Sequence, residues 1–172
     1  QHLRPAPPRS QSRRGGVAIF VHRSIRSEPA PPSGDALIGE IAGALLWLDG
    51  EAYSHFFYNP MTGKPFGGNI ESRLKSIGHT FTMGHQQTLM YGLRFVAGKS
   101  QHGLVAGACY LHDEDYKGPQ GNAHWRGIVV KHEVRDGSYD PMFVSLDYLC
   151  RRYEGMPLEK FLTKKYPNLS RW

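Results

Sequence analysis

Six of the chain's twelve prolines fall within residues 1–34: Pro5, Pro7, Pro8, Pro29, Pro31 and Pro32. Proline fixes φ and removes an amide donor, so such a stretch favours extended backbone and buries little surface. The same residues hold six arginines (Arg4, Arg9, Arg13, Arg14, Arg23 and Arg26) and one acid, Glu28. Most of the formal net charge of +6 therefore sits there, and the rest of the chain carries 15 basic and 14 acidic side chains. The pattern divides the sequence into a basic, Pro-rich arm (1–34) and a single domain (35–172). Within the arm only Gly16 to Val21 is apolar enough to suit a strand. A domain this close to neutral is not a polycation throughout. The arm can touch phosphates without sequence preference, making nucleic acid a candidate partner through residues 1–34. The competing reading is a solvated tail.

With 172 residues, 40% of them apolar, the chain has side chains enough for a core. Its longest apolar region, Ala36 to Leu48, is interrupted by Glu40 and is too short to cross a bilayer, so no membrane partner is expected. The Pro/Arg-rich beginning is unlike the apolar segment of a signal peptide. Two cysteines, Cys109 and Cys150, exclude a disulfide scaffold and a four-thiolate zinc site. They are expected as small buried side chains.

Asp35 to Leu48 reads as a helix, with Ser33 or Asp35 as its cap and Gly50 after its end. Residues 58–69 are crowded with turn formers, and Asn69 is placed to cap a short helix through Ile77. From Gly78 the signal turns to strands: His79 to Met83, Gly103 to Leu111, Trp125 to Val134 and Tyr139 to Leu146. The Asp136-Gly137 pair between the last two marks a hairpin. Pro141 suggests that the second of these strands lies at an edge or carries a bulge. Pro157 suits the first turn of a final helix to about Tyr166. The expected fold class is α+β, with a mostly antiparallel sheet in the second half and a few flanking helices.

Three groups can carry chemistry. Gly84-His85 ends a strand, so His85 would stand at the sheet rim, where a neutral imidazole can bind a divalent metal. His112-Asp113-Glu114-Asp115 offers nitrogen and oxygen donors, with His112, Asp113 and Asp115 as candidate ligands for manganese, magnesium or zinc. Against this stands a solvated acidic turn. In the third group, Asn122 and His124 invite comparison with one-metal nucleases, where a histidine acts as acid or base. Arg126 is placed to neutralise a phosphate, and Trp125 reads as core. His55, amid Tyr53, Phe56, Phe57 and Tyr58, reads as packing. His102 reads as part of a turn, and His132 as exposed on a strand.

Residues 59–153 resemble the carboxy-terminal part of tailed-phage calcineurin-like metallophosphoesterases. The resemblance rests on Asn59-Pro60-Met61-Thr62-Gly63-Lys64-Pro65, Gly84-His85-Gln86-Gln87, His102 to Gly107, His112 to Asn122, His124 to Ile128 and Tyr139 to Leu146. It implies a divalent-metal-dependent phosphoesterase-like domain of phage lineage acting on a phosphoester, located in the host cytoplasm or the virion. The superfamily closes its metal site with Gly-His-x-His; Gly84 and His85 match, and Gln87 stands where the second histidine is expected. The superfamily's early Asp-x-His, Gly-Asp and Gly-Asn-His-Asp/Glu motifs have no counterpart in residues 1–58. An incomplete or degenerate enzyme is thus one expectation. The alternatives are a non-enzymatic binding or virion-associated structural domain and, third, a one-metal nuclease.

Overall fold

Two Asp-Gly pairs set the strand layout. In each, both residues have positive φ (47° and 80° at Asp49-Gly50, 51° and 78° at Asp136-Gly137), the combination that two-residue type I′ hairpin turns require. The computed structural model describes residues 45–111 and 124–167. The arm, the strand expected at Gly16 to Val21 and residues 35–44 of the expected helix lie outside them.

The first turn joins β1 (Leu45–Leu48) to β2 (Glu51–Ser54), an antiparallel pair. This corrects the helix expected to run to Leu48. Gly50, read as a helix stop, is the second residue of a hairpin turn, and Leu-Leu-Trp-Leu pairs as a strand instead of continuing a helical turn. Next come α1 (Ile70–Ile77), β3 (Phe81–Met83), β4 (Leu89–Val96) and β5 (Lys99–Ala106). Asn69 caps α1 as expected, its side chain accepting from the Ser72 amide, and Gly78 closes the helix in the left-handed conformation.

These five strands form one sheet in the order β1-β2-β3-β5-β4. β2, β3 and β5 run parallel, with Ser54, Met83 and Val105 in register, while β4 returns antiparallel to β5. The second turn joins β6 (Gly127–Arg135) to β7 (Ser138–Ser145), a separate two-stranded sheet. A register shift between His132 and Arg135 puts a bulge in β6 and not in the strand that carries Pro141; that strand, β7, lies at an edge, the other place expected for it. The helices α2 (Leu146–Tyr153) and α3 (Leu158–Lys165) follow, and Asp147 Oδ1 accepts from the Leu158 amide, tying one to the other. The class is α+β, with the antiparallel pairs β4–β5 and β6–β7 in the second half. No helix among the described residues is long and apolar enough to cross a membrane.

The middle of the sheet is covered on both faces. Ala52, Phe81, Met83 and Val105 join Phe57 and Leu74 in the apolar core on the α1 side. The helix comes this close because β4 and β5 present Gly92 and Gly103 to it; a Cβ at Gly103 would meet the Leu74 side chain at 2.9 Å. Residues of opposite parity (Glu51, Tyr53, Thr82, His102) are buried under the β6–β7 hairpin. The hairpin tip is fixed by turn-to-turn contact, the Gly137 amide donating to the Asp49 carbonyl at 2.7 Å. Side chains at Gly50 or Gly137 would collide with the opposing backbone.

Candidate metal centre

Because β2, β3 and β5 are parallel and in register, the residues after each emerge at one edge of the sheet. Such carboxyl edges are where open α/β sheets bind ligands. His55 follows β2 directly, and Gly84-His85 follows β3. His85 has φ +59°, a left-handed conformation uncommon outside glycine, and the Gln86 amide donates back to the Gly84 carbonyl at 2.6 Å. In this tight turn His85 Nδ1 lies 3.1 Å from His55 Nε2, with the rings nearly perpendicular at 82°. Phe56 packs against both rings, and both histidines are exposed. His55, read from sequence as packing, is thus the immediate neighbour of the best ligand candidate.

Two imidazole nitrogens bound about 2.1 Å from one tetrahedral ion stand about 3.4 Å apart. At 3.1 Å the two nitrogens are at hydrogen-bond distance, one ring donating to the other; with that proton lost and the rings a few tenths of an ångström further apart, the pair would fit one divalent transition metal such as zinc or manganese. The next two residues bury amide oxygens, Gln86 Oε1 and Gln87 Oε1, that have no hydrogen-bond partner. They are candidates for a third ligand. No group of three His, Cys, Asp or Glu side chains converges among the described residues. His112, Asp113, Asp115 and Asn122 lie outside those residues.

His124 and Arg126 return to the edge at which β5 ends. Arg126 bridges Ala108 in parallel, and the Gly127 amide donates to the Ala108 carbonyl at 2.8 Å. Tyr110 lies between them in contact, its ring 5.6 Å from the His124 ring and 5.6 Å from the Arg126 guanidinium carbon. Trp125 packs on Gly107 and Gly127 but is only half-buried and lies outside the core cluster, which corrects its reading as a core residue. His132 is exposed on β6, as expected. His79 is a packing residue, stacked on Trp47 at 4.6 Å with Nδ1 near the Thr80 carbonyl.

Three expectations need correction. His102 is not in a turn; it lies within β5 at 4% exposure, buried by Tyr139 of β7. Cys109 is exposed and Cys150 only half-buried, because Cys109 follows the end of β5 at the rim and α2 buries no residue fully.

A second polar constellation escaped the sequence reading. Lys131 of β6 reaches into the sheet and donates to Glu51 Oε1 and Thr82 Oγ1, both at 2.6 Å. Thr82 and Tyr53 donate their hydroxyls to the two oxygens of the same carboxylate, each at 2.6 Å. The ammonium also sits 4.5 Å from the ring centroids of both Tyr53 and Tyr139. Burial lowers the Lys131 pKa, and the Glu51 charge opposes that shift. Burial, reinforced by Glu51, pushes the Tyr53 phenol up, so it stays a donor. Beside this network the His102 ring faces Tyr139 at 4.4 Å, and its Nδ1 is 2.9 Å from the Tyr91 hydroxyl. The one available signal was Lys131 itself, a cation at the end of the apolar run Ile128-Val129-Val130.

No family model, curated protein or solved structure matches the chain.

Proposed function

We propose that this chain is a divalent-metal-dependent phosphoesterase-like domain that holds one ion through His55 and His85. The observation that carries the reading is the 3.1 Å approach of their ring nitrogens at the ends of two adjacent parallel strands. A bound ion would supply Lewis acidity and a hydroxide-forming water. In this reading Arg126 neutralises phosphate oxygen, bidentately where both oxygens are free. His124 moves a proton as acid or base. The Ala108–Arg126 bridge brings both residues to the end of β5, the edge that β2 and β3 share. An amide oxygen of Gln86 or Gln87, if it served as third ligand, would be a weaker donor than imidazole, which would favour manganese over zinc.

Calorimetric titration of metal-free protein with manganese, paired with turnover of a generic aryl phosphodiester, tests this. One ion per chain and metal-dependent hydrolysis are expected, and His55→Ala and His85→Ala should each lose both. A chain that binds no ion overturns the proposal. Binding of one ion without turnover identifies a non-enzymatic metal-binding domain instead.

A further inference from the structure

The five-stranded sheet ends in two edge strands, and they differ in what they leave exposed. β4, at one end, shows Leu93 and Phe95 to water, two residues of the same parity and therefore of one face. β1, at the other end, exposes three consecutive large apolar side chains, Leu45 at 54%, Leu46 at 53% and Trp47 at 52%. Its register divides them between the faces. Leu45 and Trp47 stand opposite Ser54 and Ala52, on the α1 side, and Leu46 stands opposite Tyr53, on the hairpin side. Trp47 is half exposed even though its ring stacks on His79 at 4.6 Å. Among the described residues no strand pairs with the outer side of β1, and Leu-Leu-Trp-Leu has no charge, proline or bulge to guard that edge.

A helix laid on either face would cover part of this surface and leave the other face and the edge open. A further strand covers all three, provided that its own side chains are apolar on both faces. Gly16-Val17-Ala18-Ile19-Phe20-Val21 meets that condition, because alternation would put Val17, Ile19 and Val21 on one face and Ala18 and Phe20 on the other. An apolar side chain at every position from Val17 to Val21 is out of place in a solvated basic arm, and is what a strand inside a sheet requires. Residues 22–44 tether this segment to Leu45 and include the turn formers Pro29, Pro31, Pro32 and Gly34. Such a tether gives an effective concentration on the order of millimolar, which a second copy at micromolar concentration does not match. Leu45 pairs with Ser54, so β1 begins at the sheet edge where β2 ends. An antiparallel strand beside β1 would finish at that same edge, and residues 22–44 would then join the two without crossing the sheet.

We propose that residues 16–21 dock on the outer edge of β1 as an antiparallel strand, the sixth of a sheet that has five among the described residues. The inference does not depend on the metal-centre reading, and manganese titration judges that reading separately.

The experiment is amide exchange and nuclear Overhauser measurement by NMR on the full chain. Alternate amides between Val17 and Val21 should exchange more slowly than free-chain rates, and cross-strand Overhauser contacts should join this segment to Leu45–Leu48. Ile19→Pro removes a ladder donor from the middle of the segment. It should abolish those contacts together with the protection of residues 16–21 and of the outward amides of β1, while β2, β3 and β5 keep theirs. Free-chain exchange throughout residues 16–21 of the wild-type protein overturns the proposal. So do contacts from this segment to β4, or from residues 36–44 to the outer edge of β1. A dimer mass in sedimentation with β1 protected and residues 16–21 unprotected also overturns it, in favour of a second copy on that edge. Unchanged β1 protection in the variant has the same meaning, and should the variant not fold, the wild-type contacts decide alone.

Discussion

The middle strands of the five-stranded sheet are closed to water on both faces, but by opposite chemistry. Under α1, Ala52, Phe81, Met83 and Val105 meet Leu74 and Phe57, and the contact is non-directional. Under the β6–β7 hairpin, Glu51, Thr82 and Tyr53 meet Lys131 through bonds of 2.6 Å and a 3.4 Å contact, and the contact is directional. An apolar face accepts any well-shaped apolar cover. The polar face accepts only a hairpin in the register that presents Lys131, since a slip of one residue turns it outward. Hydrocarbon holds α1 in place, whereas the ion pair selects how the hairpin docks.

The comparison breaks most readily at Glu51. Glu51→Ala leaves the Lys131 ammonium buried without a carboxylate and should cost about 3–5 kcal/mol in urea unfolding. The double variant Glu51→Leu/Lys131→Met should recover most of that loss, because a desolvated pair is worth little against well-packed apolar side chains. A double variant as unstable as the single one would mean that the polar face contributes net stability. On the opposite face, Leu74→Ala should cost about 3 kcal/mol, as lost transfer energy plus a cavity. It should leave hairpin amide exchange unchanged relative to global unfolding.

His102 sharpens the contrast through pH. Burial chiefly lowers its pKa, and Lys131 acts in the same direction, while Glu51 and Asp140 act against them. Above the ordinary histidine value of about 6.5 the ring is neutral folded or unfolded and contributes nothing. As pH falls below that value the unfolded ring takes a proton that the buried ring resists, so stability declines toward the lowered folded value. The decline reaches at most about 1.4 kcal/mol per pH unit. Thermal midpoints between pH 7 and 5 should show this slope, and His102→Gln should flatten it. The smallest effect is local to α1: Asn69→Ala removes the bond to the Ser72 amide and should cost about 1 kcal/mol by urea unfolding.

Legibility in the sequence followed the range of the interaction. Asp136-Gly137 and the Asn69 cap were readable because turn and cap chemistry is complete within four or five residues. Asp49-Gly50 has the same turn geometry, yet Leu45 to Leu48 read as the end of a helix. Four apolar residues after an apolar run carry no period that tells helix from strand. His85 was legible as a rim residue from Gly84 before it. His55 was not, because its neighbours are aromatic and its partner lies 30 residues away. Glu51 was invisible for the same reason, since Lys131 is 80 residues further along the chain.

The residues alone determined the turn at Asp136-Gly137, where α1 and α3 begin, and that the last two strands pair as a hairpin. Those outcomes follow from backbone preferences of single residues and their nearest neighbours. Only the tertiary structure decided that His55 meets His85 and that Lys131 enters the sheet beside Glu51. Each of these depends on the parallel register of β2 and β3 or on a hairpin laid across them. Register is a property of strands distant in sequence, so no local pattern encodes it.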